Sequence, residues 1–176
     1  MTSTLADTVL YRATRLTVEA GPDLAEFRAR YEQAVPAFPA GQVKDLVDRQ
    51  APWRDMLDLM AATSPLGFFL FYTNDVAPTV RLAGDQASGV AYLMGNNTIM
   101  ERMFRHQPAI LLYAPLHTVI WQNPDGPAYF TFDRPSDQFG SFANPQVTEV
   151  GIELDRKMAA LLEHLEVPVP NALLTS

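Results

Sequence analysis

The stretch from Ala109 to Ser136, AILLYAPLHTVIWQNPDGPAYFTFDRPS, narrows the possible folds more than any other part of the chain. It reads as a leading strand, a sharp Ala114-Pro115 corner and a β-hairpin whose turn chemistry sets its register. Asn123-Pro124-Asp125-Gly126 suits a type I turn, with Pro124 pre-setting φ and Gly126 free to take the left-handed conformation that closes a three-residue loop. Asn123 then sits opposite Pro127. Counting back pairs Trp121 with Tyr129, Val119 with Thr131 and His117 with Asp133 on one face, and Ile120 with Phe130 and Thr118 with Phe132 on the other. The second face is core. The first mixes large aromatics with an ionisable pair and is the place to look for function.

The rest of the chain supplies helices and strands to pack on that hairpin. Thr8 to Glu19 reads as a first strand, with Leu16 and Val18 alternating against Arg15, Thr17 and Glu19. After Gly21-Pro22-Asp23, the spacing of Leu24, Phe27, Tyr31 and Ala34 predicts a helix ending at Pro36. Val43, Leu46 and Val47, then Trp53, Met56, Leu57 and Met60, give two short helical stripes separated by Pro52. They are placed to form a lid over a sheet, or a plain helical layer. Leu66 to Thr73 is the most apolar strand, and Thr79 to Ala83 can return beside it as an edge strand. Gly89 to Met94 is the next strand. It runs through Gly95-Asn96-Asn97 into a short helix, Thr98 to His106, capped by Asn97 or by a Thr98–Glu101 box. Gly140 to Asn144 is a loop. From Asn144-Pro145 a long helix follows, with Val147, Val150, Leu154, Met158, Leu161 and Leu165 on one face and Glu153 and Lys157 as an i, i+4 pair on the other. Residues 1–170 read as a single domain and 171–176 as a loose tail.

Composition removes several classes of function. With 176 residues, 48% of them hydrophobic, the chain can bury a sizeable core without staples. The absence of cysteine excludes disulfides, thiolate nucleophiles and thiolate metal sites, and leans towards a reducing compartment. A net charge of −7 repels phosphate backbones, so no nucleic acid and no membrane surface is expected as a partner. The opening residues show no secretory signal and no stretch has the length of a membrane span, which points to a cytoplasmic protein.

The order of pieces between Gly89 and Leu165 carries a resemblance. GVAYLMGNN, a helix ending in MFRHQP, LYAPLHTVIW, DG before FTFDRPS, and VGIELDRKMAALLEHL together resemble the bacterial and archaeal family called domain of unknown function 302. The resemblance implies an α+β fold, an antiparallel-rich mixed sheet with helices packed on it. It also implies a homodimer, and no settled biochemical activity. Two positions depart from the family pattern: Asn97 stands where a proline follows Gly-Asn, and His117 where an arginine often follows Pro-Leu.

No catalytic signature is present: the chain has no GxSxG, HExxH, Walker loop or GxGxxG. The three histidines are too scattered for a metal site, and nothing in the residues names a cofactor. His117 and Asp133 are the sharpest catalytic candidates, because a carboxylate across a hairpin can orient an imidazole and raise its pKa for general-base work. The plain alternative is a cross-strand polar pair contributing about 0.2–1 kcal/mol. Axial haem ligation by His117 has no further support in the residues. Asn96 and Asn97 face a helix start that could hold an anion, with Arg102 and Arg105 one turn on, although asparagine there is also an ordinary cap. Tyr113, Trp121 and Tyr129 complete the ligand-binding candidates. The expectation is a small-molecule-binding domain with a pocket bordered by the 116–133 hairpin and covered by the Val43–Met60 helices, its enzymatic status open. The alternative is a homodimeric assembly protein using the same aromatic face.

Overall fold

The computed structural model describes residues 7–175. Five strands form a single sheet in the order β1-β5-β4-β3-β2, with every neighbouring pair antiparallel. They are β1 (Arg15–Gly21), β2 (Phe69–Asp75), β3 (Ser88–Gly95), β4 (Leu116–Gln122) and β5 (Ala128–Asp133). The predicted α+β class stands. The expected mixed sheet is antiparallel throughout, and the parallel element is one isolated bridge between Ala37 and Leu70.

The hairpin register is the predicted one: Thr118↔Phe132, Val119↔Thr131, Ile120↔Phe130 and Trp121↔Tyr129. The turn closes with the Gly126 amide donating to the Asn123 carbonyl at 3.2 Å, but Gly126 does not adopt the expected left-handed φ. Gln122 replaces that device. Its side chain donates to Gly126 O and to Pro22 O and accepts from the Leu24 amide, tying the hairpin end to the first helix.

Helices cover one face. They are α1 (Leu24–Ala34), α2 (Ala40–Asp48), α3 (Trp53–Thr63), α4 (Ala77–Val80), α5 (Asn97–Phe104), α6 (Pro135–Gly140) and α7 (Pro145–His164). Asp23 caps α1, and Asn144 caps α7 by accepting from the Gln146 and Val147 amides. The core joins Phe27 and Tyr31 of α1 and Val150, Leu154, Met158 and Leu161 of α7 to the alternating sheet residues Val18, Tyr92, Ile120 and Phe130. Burying aliphatic and aromatic side chains of this size stabilises by roughly 1.5–3 kcal/mol each.

Several expected elements differ. β1 begins at Arg15, seven residues later than read. The expected edge strand at Thr79–Ala83 is helical: Pro78 sits in the first turn of α4, the Asp75 carboxylate accepts from the Ala77 amide, and a 3-10 turn continues through Arg81–Ala83. The leading strand at 109–113 is likewise a 3-10 turn, Pro108–Leu112, started by Pro108 and by the Gln107 side chain accepting from the Ala109 amide. The Ala114-Pro115 corner is a cis peptide. Asn171–Leu173, within the stretch read as a loose tail, forms a 3-10 turn whose Leu173 is fully buried; Ser176 lies outside the described residues.

The short α6 went unread, and a buried ion pair holds it. Asp155 of α7 is completely buried, accepting from Arg134 Nε at 3.0 Å and from the Ser136 amide at 2.9 Å. Gly151 makes the close approach possible, since a Cβ there would lie 3.0 Å from Phe139 Cβ and 3.2 Å from Ser136 Cα.

Candidate functional site

Where β3 ends, Gly95 lets the strand pass close to the Pro115 corner. A Cβ at that position would stand 3.3 Å from Pro115 Cβ and 3.5 Å from the Phe71 ring. The chain then turns into α5 through Asn96, whose side chain accepts from the Thr98 amide at 2.8 Å and donates to Gly67 O at 3.0 Å. That anchorage leaves a cavity of about 210 Å³ between the strand end, α5 and the Pro115 corner. Met94, Met100, Met103, Ile99 and Leu116 line it, with Phe139 of α6 and Leu154 of α7 closing the far side. The wall is almost wholly apolar. Asn97 is its polar exception beside the Asn96 cap, and its side-chain amide makes no hydrogen bond among the described residues.

Such a cavity is larger than the ~150 Å³ apolar one known to take benzene. It is smaller than the ~300–1,000 Å³ usual for drug-sized ligands. The three thioether side chains in its wall can adapt to an irregular occupant.

The predicted site residues separate into two groups. Asn96 and Asn97 border this cavity. His117, Trp121 and Asp133 line a shallow groove on the uncovered face of the sheet, together with Arg15, Thr17, Val119 and Thr131, and Tyr129 stacks on Trp121 at 4.6 Å between ring centroids. The groove's polar groups answer one another. Trp121 Nε1 donates to the Thr131 hydroxyl at 2.9 Å, Thr131 and Thr17 share a hydrogen bond of 3.0 Å, and Arg15 Nε stands 3.6 Å from the Asp133 carboxylate. No hydrogen bond joins His117 to Asp133 among the described residues, because Asp133 turns to β1 and not to β4.

Two other candidates have structural partners. Arg102 Nη1 lies 2.8 Å from Glu153 Oε2 on α7. Tyr113 packs edge-on against Phe142 and Tyr11, and its hydrogen bond to Tyr11, helped by burial, pushes the Tyr11 phenol up to about 12. The composite pocket expected from the sequence therefore divides. The hairpin reaches the cavity through Leu116, and α2 and α3 line neither the cavity nor the sheet groove. The residues that sequence reasoning passed over are the apolar lining itself and Gly95. Gly95 carried the usable signal, a glycine ending a strand immediately before a capped helix.

A one-layer helical cover on an antiparallel sheet, with an apolar cavity at a strand-to-helix corner, defines the chain as an α+β protein. Residues 56–165 match the family described as "Domain of unknown function DUF302", and the chain belongs to that family. The fold is similar to the crystal structure of an uncharacterized conserved DUF302 protein from Bacillus stearothermophilus. The TM-score is 0.61 at 16% identity, over 86% of this chain and 97% of that one. Comparison with curated proteins gave no match. Among the described residues no helix is long and apolar enough to cross a membrane, and no group of three His, Asp or Glu side chains is placed to hold a metal ion.

Proposed function

We propose that this protein binds a small, largely apolar organic molecule in the cavity at the β3–α5 corner. The observation that carries the reading is the cavity itself: about 210 Å³ of apolar space with the Asn97 amide unpaired at its edge. Space lined this way gains dispersion contacts and removes apolar surface from water when an organic ligand fills it. The amide supplies an orienting hydrogen bond. The test is native mass spectrometry of the protein as purified, followed by methyl NMR of Met94, Met100 and Met103 against a set of small organic molecules. A released non-covalent mass, or compounds that move those three methyl signals together, is the expected outcome. Compounds that move Trp121 and leave the methionines still would reject it.

The uncovered sheet face favours a second reading, assembly of two copies. Trp121 and Tyr129 are stacked and half-buried there with Val119 and Leu93 beside them, and on β2 Tyr72 stays 55% exposed. Aromatic surface of this kind is enriched at protein interfaces. Sedimentation of the protein and of Trp121→Ser separates the cases: a dimer that the substitution dissociates supports assembly through this face, and a monomer in both rejects it.

A further inference from the structure

Beside the cavity runs a second groove, between α3, the start of α5 and α7, that mixes charged and apolar side chains, and Asn96 and Ile99 line both. Lys157 is one of its lining residues. The predicted Glu153–Lys157 pair does not form, because Arg102 takes the Glu153 carboxylate at 2.8 Å, and the groove's other carboxylate, Asp58, is engaged by Arg54 at 3.0 Å. Lys157 is left with no ion pair or hydrogen bond among the described residues. Lys157 shares that state with Arg156, which lines a separate groove, but Lys157 alone of the two borders the groove beside the cavity. Its space is kept by Gly67: with φ at +76° that residue disfavours any side chain, and a Cβ there would stand 3.1 Å from Lys157 Nζ.

We propose that the occupant of the cavity is a small amphipathic carboxylate, its apolar part among Met94, Met100 and Met103 and its carboxylate on Lys157 across the first turn of α5. The inference rests on the cavity reading above and adds the charge of the ligand. The Thr98 amide at the start of α5 is already taken by Asn96, and the ammonium supplies the full positive charge. An ammonium–carboxylate contact at a half-exposed site strengthens binding by up to about fivefold.

Hexanoate and hexan-1-ol, titrated at neutral pH while the methionine methyl signals are followed, test the two claims separately. The expected result is that both move Met94, Met100 and Met103, that hexanoate binds about fivefold tighter, and that Lys157→Gln removes the difference. Lys157→Arg should keep it, as should the control Lys44→Gln on α2. Equal affinities in the wild type, or a preference that survives Lys157→Gln, overturn the carboxylate and leave the cavity reading standing. If neither compound moves those signals, both fall.

Discussion

The two faces of the sheet carry alternate residues of the same strands and behave differently. On the covered face even polar groups are locked: Tyr31 and Thr118 share a 3.0 Å hydrogen bond and are fully buried, and Asp155 is sealed behind Arg134. On the uncovered face lie the chemically suggestive residues, His117, Asp133, Trp121 and Tyr129, on a shallow surface whose polar groups mostly pair with each other. The enclosed space opens on the covered side and is lined by chemically bland methionines. The residue types that attract attention in a sequence stand on the open face, and the apolar cavity lies on the other.

The sharpest way to break that contrast is to remove one carboxylate from each side. Asp155→Ala removes a fully buried carboxylate from the partly buried Arg134 guanidinium and from the Ser136 amide, and should cost about 3–5 kcal/mol in urea denaturation. Asp133→Ala should stay within about 0.5 kcal/mol, because its partner Arg15 is exposed. Comparable losses at the two positions would mean that the faces do not differ as described. Gly151→Ala comes next. Its Cβ would press on Phe139 and Ser136, forcing α6 from α7 at about 1–3 kcal/mol, read as a lowered melting temperature.

Alkaline pH gives a gentler probe of the covered side. Burial raises the Tyr31 pKa well above its ordinary 10.0, and burial with a hydrogen bond to Glu32 raises that of Tyr92. Both contributions are fully present below pH 10 and are lost as the pH climbs from there towards the folded-state values, since only the unfolded chain can then release these protons. The unfolding free energy from urea denaturation should therefore hold steady to about pH 10 and fall above it by ~1.4 kcal/mol per pH unit for each such tyrosine. Tyr31→Phe should make that fall shallower. An unchanged slope would place its phenol in contact with solvent.

Much of the architecture was legible in the residues because it is periodic. Period-two alternation fixed the β4–β5 pairs one by one, and the apolar stripe from Val147 to Leu165 with its Asn144-Pro145 start marked α7. The two shortest helices were not legible: α4 and α6 have four and six residues with a proline in the first turn, too few to display a period, and Thr79 to Ala83 has β-forming composition overruled by Pro78. The Arg134–Asp155 pair joins residues 21 apart with no local pattern linking them. For the candidate site, Asn96 and Asn97 could be singled out as a helix start, and both do border the cavity. The cavity itself could not be read, because its walls come from β2, β3, α5, the 108–112 turn, the Pro115 corner, α6 and α7, and each contributes residues that look like ordinary core. Lys157 was assigned to Glu153 by helical spacing, and Arg102, 51 residues from Glu153, took that partner instead.

The central claim is that the corner between β3 and α5 is the binding site, and filling it tests this most directly. Met100→Trp places a larger side chain at a half-exposed cavity wall, where the indole can occupy the space without disturbing the buried core. Titration calorimetry of hexan-1-ol against the wild type and Met100→Trp should show binding that the substitution abolishes, with the far-ultraviolet circular dichroism and melting temperature unchanged. Wild-type affinity in a variant that is folded in this way would contradict the account.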